Sequence, residues 1–301
     1  KKWRCKSVKI SEILKKKATI SFEVFPPKNK EGDISSIYYT IEELPQLNPD
    51  FISVTYGAGG STKGKTVEIA STIKNQYNIE AVAHLTCISS TESEILDICQ
   101  QLKDNHIENI LSLRGDYPQD GLQHELSFHY AKELNTFISQ HFPGDFCLSG
   151  ACYPEVHQEA SCLEDDLKAL KEKVDAGAQY LITQIFFDNH YYYRLVKEAR
   201  KRGINVHILA GIMPVTHSKS LLRTAKLCGC SIPYELSTMI ESYYHYPEAM
   251  KEIGINYATH QIIDLITNGV DGIHIYTMNK PEIAKAIFQS IPTVLKELNH
   301  E

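Results

Sequence analysis

The chain has 301 residues, 43% hydrophobic and 23% charged, which is ample apolar material for a large core. Its net charge of −6 gives no footprint for nucleic acid or a membrane surface, and no apolar run approaches the ~20 residues that span a bilayer. The lysine-rich start lacks an apolar stretch behind it, so it reads as a solvated end rather than a secretory leader. Eight cysteines are scattered without a C-x-x-C, and thirteen histidines show neither H-x-x-x-H nor H-E-x-x-H. Both patterns argue against a protein-bound metal and for reduced thiols in a cytoplasm.

Apolar runs of strand length recur along the chain, at 18–25, 51–56, 80–87, 109–114, 145–153, 180–187, 206–212 and 272–278. Helical spacing lies between them: Ile95, Ile98, Cys99 and Leu102 in one segment, Leu163, Leu167, Leu170 and Val174 in another, the second closed by Gly177. Continuous apolar strands alternating with amphipathic helices predict a parallel sheet covered by helices. Eight strands in a chain of this length predict an α/β fold, a (β/α)8 TIM barrel, as a single domain over residues 1–301. The long connection between strands seven and eight should hold an extra helix, with 233–243 and 255–269 as candidate segments.

Chemistry in such a barrel sits at the C-terminal ends of the strands. Polar residues stand there at almost every strand: Glu23; Thr55 and Tyr56; His84 and Thr86; Arg114 and Asp116; Tyr153 and Glu155; Gln184 and Asp188; Thr277 and Asn279. Helix capping accounts for some, with Asp188 and Ser61 as candidates. It does not account for Glu23, His84 and Gln184, which interrupt apolar runs.

Three loops are candidates for ligand contact. "VTYGAGGSTKGKT" (54–66) fits neither phosphate-loop nor dinucleotide spacing, so it is a tight turn or a backbone cradle for negative charge. "LSLRGD" (111–116) is a local Arg114–Asp116 ion pair or a charged pair beside a polar ring or phosphate. "CYPEVHQEA" (152–160) adds Tyr153, Glu155 and His157, and on the following helix Lys173 is placed to reach a phosphate.

In that order, "SFEVFPPK", "FISVTYGAGGST", "HLTC", "LRGDYP", "CYPEVHQEA", "DAGAQYLITQIFFD" and "GIMPV" resemble the 5,10-methylenetetrahydrofolate reductase family over roughly residues 18 to 290. The resemblance implies a flavoenzyme of one-carbon metabolism and methionine biosynthesis, an oligomer (dimer or tetramer), that binds FAD at the barrel mouth. NADH or NADPH and then methylenetetrahydrofolate would use that mouth in turn, by a ping-pong mechanism. It implies Glu23 as general acid and Asp116 as the aspartate beside the flavin and pterin. It implies FAD contacts from Thr55, Tyr56, Ala58, His84, Arg114, Gly115, Asp116, Tyr130, Ala131, Tyr153, His157, Ala160, Asp166 and Lys173. Folate contacts would come from Glu23, Thr55, Asp116, Gln184 and Lys280. The chain departs from the family pattern at Ser220 and Thr224, where relatives carry Gln and Phe, at Glu172, at Ala210 and at Lys280, a point charge where an Arg fork is common. A Schiff-base aldolase would need a strand-end lysine, which none of the eight strands has; an electron-transfer subunit would have no use for Glu23.

Overall fold

The computed structural model describes residues 8–27, 34–56, 63–88, 90–116 and 126–298. Eight parallel strands close into a barrel in sequence order: β1 (Thr19–Val24), β2 (Phe51–Val54), β3 (Glu80–Thr86), β4 (Asn109–Leu113), β5 (Cys147–Cys152), β6 (Ala178–Thr183), β7 (His207–Ile212) and β8 (Gly272–Tyr276). The helices are α1 (Ile10–Leu14), α2 (Ile34–Glu43), α3 (Lys63–Tyr77), α4 (Glu92–Asp104), α5 (Ala131–His141), α6 (Leu163–Asp175), α7 (Asn189–Lys201), α8 (Ser218–Cys228), α9 (Tyr234–Ser242), α10 (Pro247–Thr267), α11 (Pro281–Ser290) and α12 (Pro292–Glu297). None of them is long and apolar enough to cross a membrane.

Alternation along each strand sorts the side chains into two cores. Phe22, Val24, Ile52, Val54, Ala83, Ile110, Leu181, Ile208 and Ile273 point outward and pack under the helices. Phe51, Val82, Leu111, Cys147, Tyr180, Ile182 and Leu209 point inward and fill the lower barrel. Beneath them α1 closes the floor, adding Ile10 and Leu14 to that inner core. Its seat is polar and specific: Ile10 N donates to Asn109 Oδ1 at 2.9 Å, and Ser11 Oγ donates to Gln179 Oε1 at 2.7 Å. The lysine-rich start thus leads into a plug, which its composition did not announce.

The β7–β8 connection holds three helices, α8, α9 and α10, and both candidate segments are helical. The predicted strand 180–187 is shorter at its end, because β6 stops at Thr183. Ile185 and Phe187 leave the sheet to pack with Leu221, Leu236 and Met250 from those three helices.

Candidate functional site

The inward phase that holds Phe51 and Tyr180 at the floor brings polar residues together higher in the barrel. β1 places Glu23 beside Ser53 of β2 and Tyr276 of β8. Its side chain is 18% exposed, with Oε2 3.5 Å from His84 Nε2 and 3.7 Å from His274 Nε2. The first contact is in ion-pair range but is no hydrogen bond, since buried His84 Nε2 has no hydrogen-bond partner among the described residues. Burial holds His84 down to about 4, against the opposing pull of Glu23. The ring is therefore neutral near pH 7, and the pair is not a salt bridge.

His274 was not singled out by the sequence. It is 0% exposed and stacked on Phe51, ring centroids 5.8 Å apart. Ser21 Oγ donates to Ile273 O at 3.2 Å and lies 2.8 Å from His274 Nδ1. The other ring nitrogen, Nε2, lies 3.3 Å from Ser53 Oγ and 3.7 Å from Glu23 Oε2.

Tyr276 lies across the same mouth and donates to Thr183 O at 2.7 Å. Burial first and Glu23 second hold its phenol well above the usual range. The ring fits because residue 211 is glycine: a Cβ there would stand 2.4 Å from Thr183 O and 2.7 Å from the Tyr276 ring. Gln184 follows β6 and turns its Oε1 onto Ile185 N at 2.8 Å.

Most of the remaining expected residues follow β2, β4 and β5, with Lys173 on α6 and Lys280 after β8. Thr55 hydrogen-bonds β1 through its amide, to Val24 O at 3.0 Å. Tyr56 beside it is half-buried, and burial pushes its phenol up to about 12. Arg114 forks onto Glu159 at 2.5 and 2.8 Å. Gly115 and exposed Asp116 follow it. Tyr130 and Ala131 begin α5, the tyrosine exposed and the alanine buried. Tyr153 and His157 meet edge-on with centroids 4.5 Å apart. Asp166 accepts from His157 N at 3.0 Å, and burial raises its carboxyl. Ala160 ends this loop with its amide on His157 O at 2.9 Å. Lys173 turns to the back of β5, where Nζ donates to Ala151 O at 2.6 Å and burial lowers its pKa. Lys280 stands at the N-cap of α11, its Nζ 3.5 Å from Thr216 Oγ1. Ala58 and Ser61 lie outside the described residues.

Several polar residues at strand ends act as braces. Thr277 Oγ1 donates to Glu23 O at 2.6 Å, and Asn279 pairs with the amide and carbonyl of Phe25 at 3.0 and 2.8 Å. Asp188 caps α7 through His190 N at 2.9 Å. No aromatic stands on α8; Ser220 is exposed, and Tyr234 on α9 is among the most exposed side chains.

Methylenetetrahydrofolate reductase is the family whose profile matches this chain, over residues 9–292. The 5,10-methylenetetrahydrofolate reductase of Pectobacterium carotovorum is 37% identical, covering 92% of this chain and 91% of its own. That of Escherichia coli K12 is 38% identical, covering 90% of each. The chain also spans 48% of the length of an Arabidopsis thaliana methylenetetrahydrofolate reductase (NADH), at 36% identity. Among solved structures, a Clostridium thermocellum protein that binds two copies of 5-methyl-5,6,7,8-tetrahydrofolic acid superposes with a TM-score of 0.66 over 95% of this chain and 99% of its own. At 16% identity that likeness concerns the fold.

Proposed function

The chain belongs to the methylenetetrahydrofolate reductase family, oxidoreductases of folate one-carbon metabolism, and from that premise we propose that it reduces 5,10-methylenetetrahydrofolate with NADH or NADPH through a bound FAD, Glu23 acting as general acid. We read residues 1–301 as one catalytic barrel, in keeping with the bacterial relatives matched over nine-tenths of their length.

The observation that carries this reading is the place of Glu23, inside an otherwise dry barrel and facing two histidine nitrogens. The substrate's methylene carbon is bridged between two nitrogens in a five-membered ring. It accepts hydride only after the ring opens to an iminium ion, and opening needs a proton on the departing nitrogen. Glu23 stands opposite His84 and His274 at the barrel mouth, and its 18% exposure is a face through which it would give that proton. The neutral ring of His84 adds no cation that would favour the carboxylate.

The residues of the mouth also fit a flavin. His84 Nε2 is a buried nitrogen without a hydrogen-bond partner among the described residues, and such a group calls for a ligand atom. Arg114, His157 and the Tyr153 ring offer a guanidinium, an imidazole and a flat face beyond β4 and β5. Thr55, Tyr56, Ala58, Gly115, Asp116, Tyr130, Ala131, Ala160, Asp166 and Lys173 would complete the cofactor's contacts. When bound, the flavin supplies the two-electron carrier between nicotinamide and folate. Gln184, with an amide that both donates and accepts, would serve the two substrates in turn, and Lys280 and Thr55 would hold the folate.

The purified protein should be yellow, with absorption at roughly 450 nm that bleaches on adding NADH or NADPH and returns with methylenetetrahydrofolate. A colourless protein that FAD does not reconstitute would remove the flavin from this reading.

A further inference from the structure

Val156 has φ +79, a left-handed backbone conformation that a β-branched side chain resists. Its neighbours hold it there. On one side, both oxygens of Glu155 accept from Ser231 N at 3.0 Å, in the turn between α8 and α9. On the other, Gln158 Nε2 donates to Leu227 O at 2.7 Å, one of the carbonyls that the end of α8 leaves without a helical partner. The two grips share one turn, and Gly229 makes room for them. It adopts φ +67, and a Cβ there would lie 2.7 Å from the Gln158 side chain. Between the grips sits His157, its amide on Asp166 and its ring against Tyr153.

We propose that Glu155 and Gln158 are positioning residues that strap the β5–α6 loop to the α8–α9 turn and hold Val156 strained, so that His157 and Tyr153 stay aimed at the cofactor site. The proposal rests on the flavin reading above for its functional consequence, but the strap itself is a property of the chain alone. Without it the loop relaxes away from the binding geometry, and apparent affinity falls by the fraction of molecules that remain competent. With Val156 replaced by glycine, the same geometry needs no restraint.

The test compares wild type, Glu155→Ala, Glu155→Gln, Val156→Gly and the Glu155→Ala/Val156→Gly double variant. Hydrogen exchange over residues 153–160 without flavin and the FAD dissociation constant are both measured. Glu155→Ala should speed exchange across the loop and weaken FAD about 10-fold, while Glu155→Gln, which keeps an acceptor for Ser231 N, stays within about 2-fold of wild type. Adding Val156→Gly to Glu155→Ala should restore most of both losses, a coupling that simple loss of a surface contact does not produce. Unchanged exchange in Glu155→Ala, or no recovery in the double variant, would overturn the strap. If exchange behaves as stated and wild type binds no FAD, the flavin reading fails and the strap stands.

Discussion

His84 and His274 face Glu23 from two different strands with ring nitrogens 3.5 and 3.7 Å from the same carboxyl oxygen. Neither meets it in hydrogen-bonding range. The carboxyl therefore has no hydrogen bond from either ring to fix it, and its partly exposed side chain is available to a third molecule at the mouth.

Glu23→Gln tests that availability. The amide keeps the volume and loses the acidic proton. We expect NAD(P)H to bleach the flavin at a near-normal rate, while folate reduction falls by ~10²–10⁴-fold. Stopped-flow absorbance separates the two steps. Folate turnover close to wild type in this variant would show that the proton comes from elsewhere.

His84 sets a pH dependence of stability. Its folded value of about 4 lies below the unfolded 6.5. Above pH 6.5 the ring is neutral in both states, and its contribution to stability is complete. Below that the unfolded chain takes the proton first, so stability drains away as pH falls from 6.5 towards 4 and is lost once the folded ring also protonates. The gap between 6.5 and about 4, at about 1.36 kcal/mol for each pH unit, makes this about 3 kcal/mol. Urea melts at steps across that window should show a steeper decline for wild type than for His84→Gln. Parallel curves would mean that the ring is not sealed as described.

Gly211→Ala should push the Tyr276 ring off Thr183, since the new methyl and the ring cannot share the space. Small-to-large changes at such a contact destabilise by ~1–3 kcal/mol. The thermal midpoint should fall, and the KM for folate should rise more than that for the nicotinamide. Equal effects on the two would indicate a general loosening of the barrel.

Gln184→Ala should slow both half-reactions by a similar factor, because one amide is proposed to serve both occupants. Single-turnover rates for each, measured separately, decide it. A change confined to one half-reaction would show that the two substrates do not share this contact.

All eight strands were legible because a parallel barrel buries both faces of each strand, which leaves near-continuous apolar runs. Glu23 and His84 stood out for the same reason, as polar breaks in such runs. His274 in "GIHIYTM" is an interruption of the same kind. What could not be read were partnerships across loops. Nothing in "LSLRGD" points to Glu159, 45 residues away from Arg114. Nothing in "YPEV" shows that Glu155 reaches for a backbone amide 76 residues on. Helix α1 was hidden because five residues behind a run of lysines carry too little periodicity to register.

β1 is hydrogen-bonded to β8 as well as to β2, with Glu23 opposite Tyr276. The seam of the barrel thus runs beside the acid. During synthesis the first strand waits for nearly the whole chain to leave the ribosome before its second neighbour exists, and α1 waits for Gln179. Such distant pairings are slow to form. The surroundings of Glu23 are therefore drawn from both ends of the chain, and a nascent or prematurely ended chain holds that carboxyl without Tyr276 beside it.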